Sequence, residues 1–271
     1  MPVKKDALGQ HRVELEWLVP GTPEQVWAAL ATGPGISAWF VEAKVEPRVG
    51  GKLEFVFGDG ATSAGTVTGW EPPRRFAYEE RGWSEGAPPV ATEIAVTARS
   101  GSTCLVRMVH SLFAATDEWD DQLEGFEVGW QGFFEVLRLY LTCFAGQPAA
   151  PVRLMAECAA GEAEAWSRLT RGLGVAGLDV GARFRSPQGA PPLSGKVTRI
   201  QQSHQSRELH VCLDDPGPGI AVITSHARAD KAHGFIATYF YGPNAAELAR
   251  RHCESAQPWL AQLLSQATGR V

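Results

Sequence analysis

The sequence lacks any hydrophobic run long enough to cross a bilayer. A transmembrane helix needs about 20 consecutive apolar residues, and no stretch of the 271 residues approaches that length. The first residues include Lys4 and Lys5, but no apolar segment of signal-peptide length follows them. We therefore expect a cytoplasmic protein without a membrane span.

Motifs for metal binding and nucleotide hydrolysis are also missing. The five cysteines are scattered, odd in number and without a C-x-x-C pair, which favours reduced, mostly buried thiols over disulfides or a zinc site. There is no H-E-x-x-H or G-x-x-x-x-G-K-[ST] motif, so zinc-protease and nucleotide-hydrolase functions lack the residues that their mechanisms need. His204, His210, His226 and His233 lie in the second half without ligand spacing. We expect no metal and no cofactor.

An excess of positive charge is absent as well. The chain has 25 basic and 30 acidic residues and a formal charge of -5, so a nucleic acid partner is not expected and acidic partners are disfavoured. Acidic residues concentrate between Asp117 and Glu124. At the front of a helix they interact favourably with its N-terminus; the alternative is a docking face for a basic partner.

The chain does contain regular strand and helix patterns. Residues 11–20 alternate as a half-buried strand. Thr22, Pro23 and Gln25 then form a capping box that begins a helix, which we expect to stop at residues 33–35. A second short helix is predicted around residues 36–40.

From Lys44 to Leu112 the pattern predicts an antiparallel meander of short strands joined by glycine and proline turns. The period then changes to that of a helix from about Asp121 to Phe144, with a broad aromatic face. These elements predict an α+β architecture in which a long C-terminal helix packs against a curved antiparallel sheet.

The second half repeats this plan. At a constant offset of 139, Val13, Leu15, Trp27 and Leu30 align with Val152, Leu154, Trp166 and Leu169. At offsets of 131 and 130, the glycine-rich segments at Gly50 and Gly65 align with those at Gly181 and Gly195. We predict a domain over 1–146, a linker over 147–151 and a degenerate second copy over 152–271, ending in a helix from about Asn244 to Ala267. Because the offset shrinks by eight, the second copy is expected to lack the 36–40 helix.

Five motifs in order carry a family resemblance. They are Thr22–Trp27, Trp39-Phe40, Val49–Leu53, Gly65–Val67 and Glu71–Phe76. Over residues 10–146 the chain resembles the START-like (SRPBCC) superfamily, which has the helix-grip fold of the birch pollen allergen. Within it, the chain is similar to the family named for the activator of the heat-shock protein 90 ATPase.

The resemblance implies a cavity between sheet and helix that binds a small hydrophobic molecule of lipid or polyketide type. The expected lining residues are Trp39, Phe55, Phe57, Phe76, Tyr78, Met108, His110, Phe126, Trp130, Phe133 and Phe134. Aromatics at these spacings also occur as ordinary core, and large rings can fill a cavity.

Two further functions remain open at this stage. His110 and Tyr78 are the candidate acid–base residues if the domain acts as a polyketide cyclase or dehydratase, although a lone histidine on an apolar face is more often a core residue. The family name suggests a protein-interaction module that binds a chaperone. A homodimer formed through exposed sheet edges is also open.

Overall fold

The structure is a computed structural model that describes residues 4–5, 10–58, 61–82, 86–113, 120–202, 206–228 and 231–265. The side chains of residues 120–129 and of a few strand ends lie outside this description. The chain divides into two compact units, Met1–Gly146 and Gln147–Val271.

The first unit is an antiparallel sheet with one long helix at its end. Its elements are β1 (Lys4–Lys5), β2 (Gln10–Pro20), α1 (Pro23–Ala31), α2 (Gly33–Ser37), β3 (Glu42–Val45), β4 (Lys52–Gly58), β5 (Ala61–Glu71), β6 (Arg75–Arg81), β7 (Val90–Arg99), β8 (Thr103–Phe113) and α3 (Asp120–Cys143). The sheet order is β1-β2-β8-β7-β6-β5-β4-β3. Thus the first long strand pairs with the last, and a meander leads away from it.

The capping box predicts the start of α1 correctly. Thr22 accepts a hydrogen bond from the backbone N–H of Gln25 at 3.3 Å, and the Gln25 side chain accepts one from the N–H of Thr22 at 2.9 Å. The helix ends before residues 33–35 as predicted, but these residues begin α2, so the second short helix starts three residues earlier than predicted. Thr32 caps this second helix by accepting from the N–H of Gly35 at 3.1 Å, and proline is compatible with a first helical turn.

The second unit has the same plan with fewer elements. They are β9 (Ala149–Cys158), α4 (Glu162–Gly172), β10 (Arg183–Arg185), β11 (Ser194–Gln202), β12 (Ser206–Asp215), β13 (Gly219–Arg228), β14 (Lys231–Tyr241) and α5 (Ala245–Ser265). The sheet order is β10-β11-β12-β13-β14-β9, so again the first strand pairs with the last. The duplicated α+β plan predicted from the sequence is confirmed, and β9 begins inside the range predicted as a linker.

Each unit contains the same kind of hydrogen-bonded turn at its aligned glycine. Gly50 donates its backbone N–H to the carbonyl of Val67 at 2.8 Å, and Gly181 donates to Val197 at 2.8 Å. Each valine donates back to the residue after the glycine at 2.9 Å. Both glycines have positive φ, +76° and +95°, a conformation that disfavours a side chain. The turn therefore explains why the glycine is present in both copies.

The described second unit has neither a counterpart of α2 nor one of β3 between α4 and β10. The predicted loss of the short helix is confirmed, and the loss extends to the strand that follows it. The space between sheet and helix is packed with leucine: Leu169 and Leu264 are fully buried. A Cβ placed on Gly234 of β14 would lie 2.6 Å from a Leu264 methyl group and 2.8 Å from one of Leu169. The glycine thus makes room for these two leucines against β14.

Candidate functional site

Three polar side chains form a row across the inner face of the first sheet, which is the face toward α3. Tyr78 on β6 pairs with Thr92 on β7, and Thr92 pairs with His110 on β8. Directly opposed residues of adjacent strands lie about 5 Å apart on the same face. Strand register therefore places the hydroxyl groups and the imidazole side by side.

An aromatic cluster faces this row. The ring of Phe40, just after α2, lies 4.8 Å from that of Trp130 and 4.7 Å from that of Phe133, both on α3. It also lies 6.0 Å from the ring of Phe55 and 6.1 Å from that of Phe57 on β4. These centroid separations are typical of packed aromatic pairs. Phe40 therefore joins the helix wall to the sheet wall.

Between these walls lies a cavity of about 420 Å³. It is lined by Phe40, Phe55, Phe57, Ala61, Thr62, Ser63, Tyr78, Glu80, Gly82, Val90, His110, Trp130 and Phe133. Its volume is within the usual range for small-molecule sites, and so is its mainly apolar lining with a few polar groups. Phe57 is 41% exposed, so the cavity opens to the outside at this residue.

Glu80 brings a carboxylate to the cavity wall. Its Oε1 accepts a hydrogen bond from the Ser63 hydroxyl at 2.6 Å. Desolvation raises the pKa of Glu80, and the hydrogen bond from Ser63 offsets part of this effect. The protein therefore holds this carboxylate in a less favourable setting than water would.

The polar row is neutral near pH 7. Burial lowers the pKa of His110 to about 4, and burial together with the Glu80 charge raises the pKa of Tyr78 well above 10.0. Thr92 Oγ1 lies 2.9 Å from His110 Nδ1, and the His110 ring stacks on Trp130 at 5.7 Å. These groups can hydrogen-bond a ligand, but neither pKa is near the value that favours proton transfer at neutral pH.

The eleven predicted lining residues do not all border the cavity. Six of them border the cavity: Phe55, Phe57, Tyr78, His110, Trp130 and Phe133. Trp39, Phe76 and Met108 lie around a deeper space of about 10 Å³, so they close the inner end. Phe134 stacks on Trp17 at 3.5 Å. The Phe126 side chain lies outside the described residues.

Several lining residues were not predicted, above all Phe40, Ser63 and Glu80. Phe40 belongs to a motif that carries the family resemblance, which was a usable signal. Glu80 follows Tyr78 by two residues on one strand and so shares its face. A charged residue at the end of an alternating strand is normally solvated, so the sequence pattern does not predict that Glu80 lines the cavity.

The second unit presents a different surface feature. A depression of about 300 Å³ lies among the end of α4, residues 187–190 and α5, with Trp259 and Leu263 in its wall. His226 and His233 form a stacked cross-strand pair at 5.5 Å. In the described part of the chain, no group of three His, Cys, Asp or Glu residues is arranged to hold a metal ion. His204 lies outside the described residues.

A family comparison identifies the first unit. Residues 20–142, which span α1 to the end of α3, match the model of the Activator of Hsp90 ATPase homolog 1-like proteins. The match covers most of the first unit. The predicted START-like, helix-grip recognition is confirmed for this Activator of Hsp90 ATPase homolog 1-like unit. No curated protein matches the chain.

Solved structures give weaker likenesses. Protein MLL2253 from Mesorhizobium loti is 23% identical over 49% of this chain and 98% of its own, with a TM-score of 0.45. Two structures match nearly the whole length. DynU16, a putative protein of the dynemicin biosynthetic locus, is 16% identical over 93% of this chain and 96% of its own, with a TM-score of 0.43. The di-domain ARO/CYC BexL from the BE-7585A biosynthetic pathway is 13% identical over 95% and 99%, with a TM-score of 0.45. Likenesses of this strength say nothing about function.

Among the described helices, including α3 and α5, none combines the length and apolar character needed to cross a bilayer.

Proposed function

We propose that the first unit binds a small, largely apolar molecule in the cavity between its sheet and α3, without catalysing a reaction on it. The observation that carries this proposal is the aromatic cavity of about 420 Å³. Protein interiors are normally packed without voids much larger than a water molecule. A space of this size, open at Phe57, therefore costs packing energy that a ligand would recover.

Catalysis of the cyclase or dehydratase type is the second candidate. In its favour, Tyr78 and His110 lie in one row beside the cavity, with Thr92 between them. Against it, a histidine with a pKa of about 4 is a weak base at neutral pH, and a tyrosine with a pKa well above 10.0 is a weak acid. If this candidate is right, His110→Ala and Tyr78→Phe abolish turnover of a polyketide-like substrate while leaving the fold intact.

The binding proposal is tested with a neutral hydrophobic dye, Nile red, and one pair of variants. Ala61 and Ala64 are exposed residues of the same strand, but of the two only Ala61 lines the cavity. Ala61→Trp places an indole ring at the cavity wall and is expected to weaken dye binding at least about tenfold, or about 1.4 kcal/mol. Ala64→Trp adds the same ring outside the cavity and should leave binding unchanged. Equal binding by both variants would show that the dye binds elsewhere.

The co-chaperone alternative stays a prediction. Its measurement is ATP hydrolysis by a bacterial heat-shock protein 90 homologue with and without this chain. The homodimer is likewise a prediction, and sedimentation at several protein concentrations would test it.

A further inference from the structure

The charge on the described lining of the cavity is negative. Among its described lining residues Glu80 is the one acidic group, and none is lysine or arginine. A ligand with a carboxylate or phosphate would therefore meet a negative charge without a cation to offset it. Such a pairing is unfavourable in a partly desolvated site. The lining disfavours anions, including fatty acids.

Glu80 differs from other carboxylates of its sheet. On the same strand, Glu79 pairs with Arg81 at 2.7 Å, and on β7 Glu93 pairs with Arg75 at 2.8 Å. Within the described residues Glu80 has no such basic partner, and it accepts a hydrogen bond from the neutral Ser63 hydroxyl. A desolvated carboxylate gains most from an opposite charge, and the cavity is the side from which one can approach.

The walls next to this carboxylate are suited to a cation as well. Aromatic faces attract ammonium groups, most strongly where water is excluded. Tyr78, Phe57 and Phe133 line the same cavity as Glu80, and Trp130 offers the ring type with the strongest attraction. An apolar cage with one carboxylate is a known way to bind an amine attached to a hydrophobic body.

Long-range electrostatics act in the same direction. Residues 1–146 contain 20 acidic and 12 basic residues, a net charge of -8, whereas residues 147–271 contain 10 and 13, a net charge of +3. Cationic ligands are drawn toward a negative unit, and this raises their rate of association. The chain-wide value of -5 conceals this asymmetry.

We propose that the cavity of the first unit takes a hydrophobic, ring-containing molecule that bears a protonated amine, with the ammonium group bound at Glu80 and the rings held by the aromatic walls. This inference rests on the proposed binding function and specifies its ligand class. Tyr78 and His110, both neutral, are left to hydrogen-bond uncharged polar groups on the ring body.

The test uses three probes with one ring system: 1-naphthylmethylamine, 1-naphthylmethanol and 1-naphthoate. At pH 7 the first is a cation, because a primary arylmethylamine, although less basic than the lysine amine with its pKa of about 10.4, stays protonated at neutral pH; the second is neutral and the third is an anion. Titration calorimetry on the full chain should give the amine at least about tenfold tighter binding than the alcohol, and the anion the weakest.

Matched variants assign the preference to one carboxylate. Glu80→Gln keeps the shape and an acceptor for Ser63 but removes the charge, so the amine should bind only as tightly as the alcohol. The alcohol's own affinity should change by less than about threefold, which shows that the cavity is intact. Glu79→Gln removes a charge from the opposite face of the same strand and should leave the amine preference unchanged.

The outcomes separate this inference from the proposal beneath it. If the alcohol binds as tightly as the amine, or if Glu80→Gln leaves their ratio unchanged, the amine inference is overturned while the binding function stands. If no probe binds and Nile red binding is insensitive to Ala61→Trp, both are overturned.

Discussion

At the residue scale, the first unit combines neutral and charged polar groups in different parts of one cavity. Tyr78 and His110 both hydrogen-bond to Thr92 across three strands, whereas Glu80 beside them accepts a hydrogen bond from the Ser63 hydroxyl. Binding sites often keep groups that are unfavourable for stability. Glu80 is such a group, and its cost should be measurable without any ligand.

Replacing Glu80 by glutamine should stabilise the protein at neutral pH. The pKa of this carboxyl is raised in the folded state, so the folded chain binds more protons than the unfolded chain between the ordinary value and the raised one. Stability is therefore lost as pH rises through that window. The glutamine variant avoids this loss.

Urea unfolding at pH 7 and at pH 4 measures the effect. The Glu80→Gln advantage should be present at pH 7 and shrink as pH falls toward the ordinary glutamate range. Glu79→Gln, which removes a surface ion pair with Arg81, should give no advantage at either pH, because such pairs are worth about 0–1 kcal/mol. A destabilised Glu80→Gln protein at pH 7 would contradict the desolvation argument.

At the scale of single elements, local signals in the sequence predict boundaries well and side-chain contacts poorly. The capping box gives the start of α1, and the change of period gives α3 within one residue of its observed bounds. The start of α2 was missed because Gly33-Pro34-Gly35 is typical of a helix end, and the Thr32 cap outweighs that tendency.

The cavity lining shows the same limit. Residues at positions i, i+3 and i+4 share a broad helix face about 100° wide or more, so Trp130, Phe133 and Phe134 could not be separated by periodicity. In the structure Phe134 lies at the edge of that face and stacks on Trp17. Which edge meets the cavity depends on how the helix is rotated over the sheet, and a single sequence does not encode that in any local pattern.

Packing between β14 and α5 yields a prediction for the second unit. Gly234→Ala would bring a methyl group within 2.6 Å of Leu264 and 2.8 Å of Leu169. Overpacking of this kind costs about 1–3 kcal/mol. Leu264→Ala alone should cost about 2–5 kcal/mol.

Chemical denaturation of the double variant provides the check. Since the shortened side chain at 264 gives the new methyl group room, the two losses should combine to less than their sum. If the losses of unfolding free energy in the two single variants simply add in the double variant, close packing of Leu264 is not the reason that position 234 requires glycine.

At the scale of the whole molecule, the two units have the same architecture but different side chains between sheet and long helix. The first has an aromatic cavity, and the second has a core rich in leucine. The first is also the acidic half of the chain. We expect a ligand to act on the first unit alone.

Hydrogen exchange followed by mass spectrometry tests this division. A ligand at 100 times its dissociation constant adds about 2.7 kcal/mol to the stability of the unit that binds it. Amides of β4 to β8 and α3 should exchange more slowly with 1-naphthylmethylamine or Nile red present, whereas those of β9 to α5 should be unaffected. Slower exchange confined to the second unit would place the site there instead.

Gly234 of β14 marks a difference between the two copies of the fold. In the second unit Gly234 lets Leu169 and Leu264 pack against β14, and no counterpart of α2 or β3 lies between α4 and β10. The first unit keeps both elements, and Phe40, which follows α2, lines its cavity. One polypeptide thus carries the same fold twice, with aromatic rings around a cavity in the first copy and leucines in the core of the second.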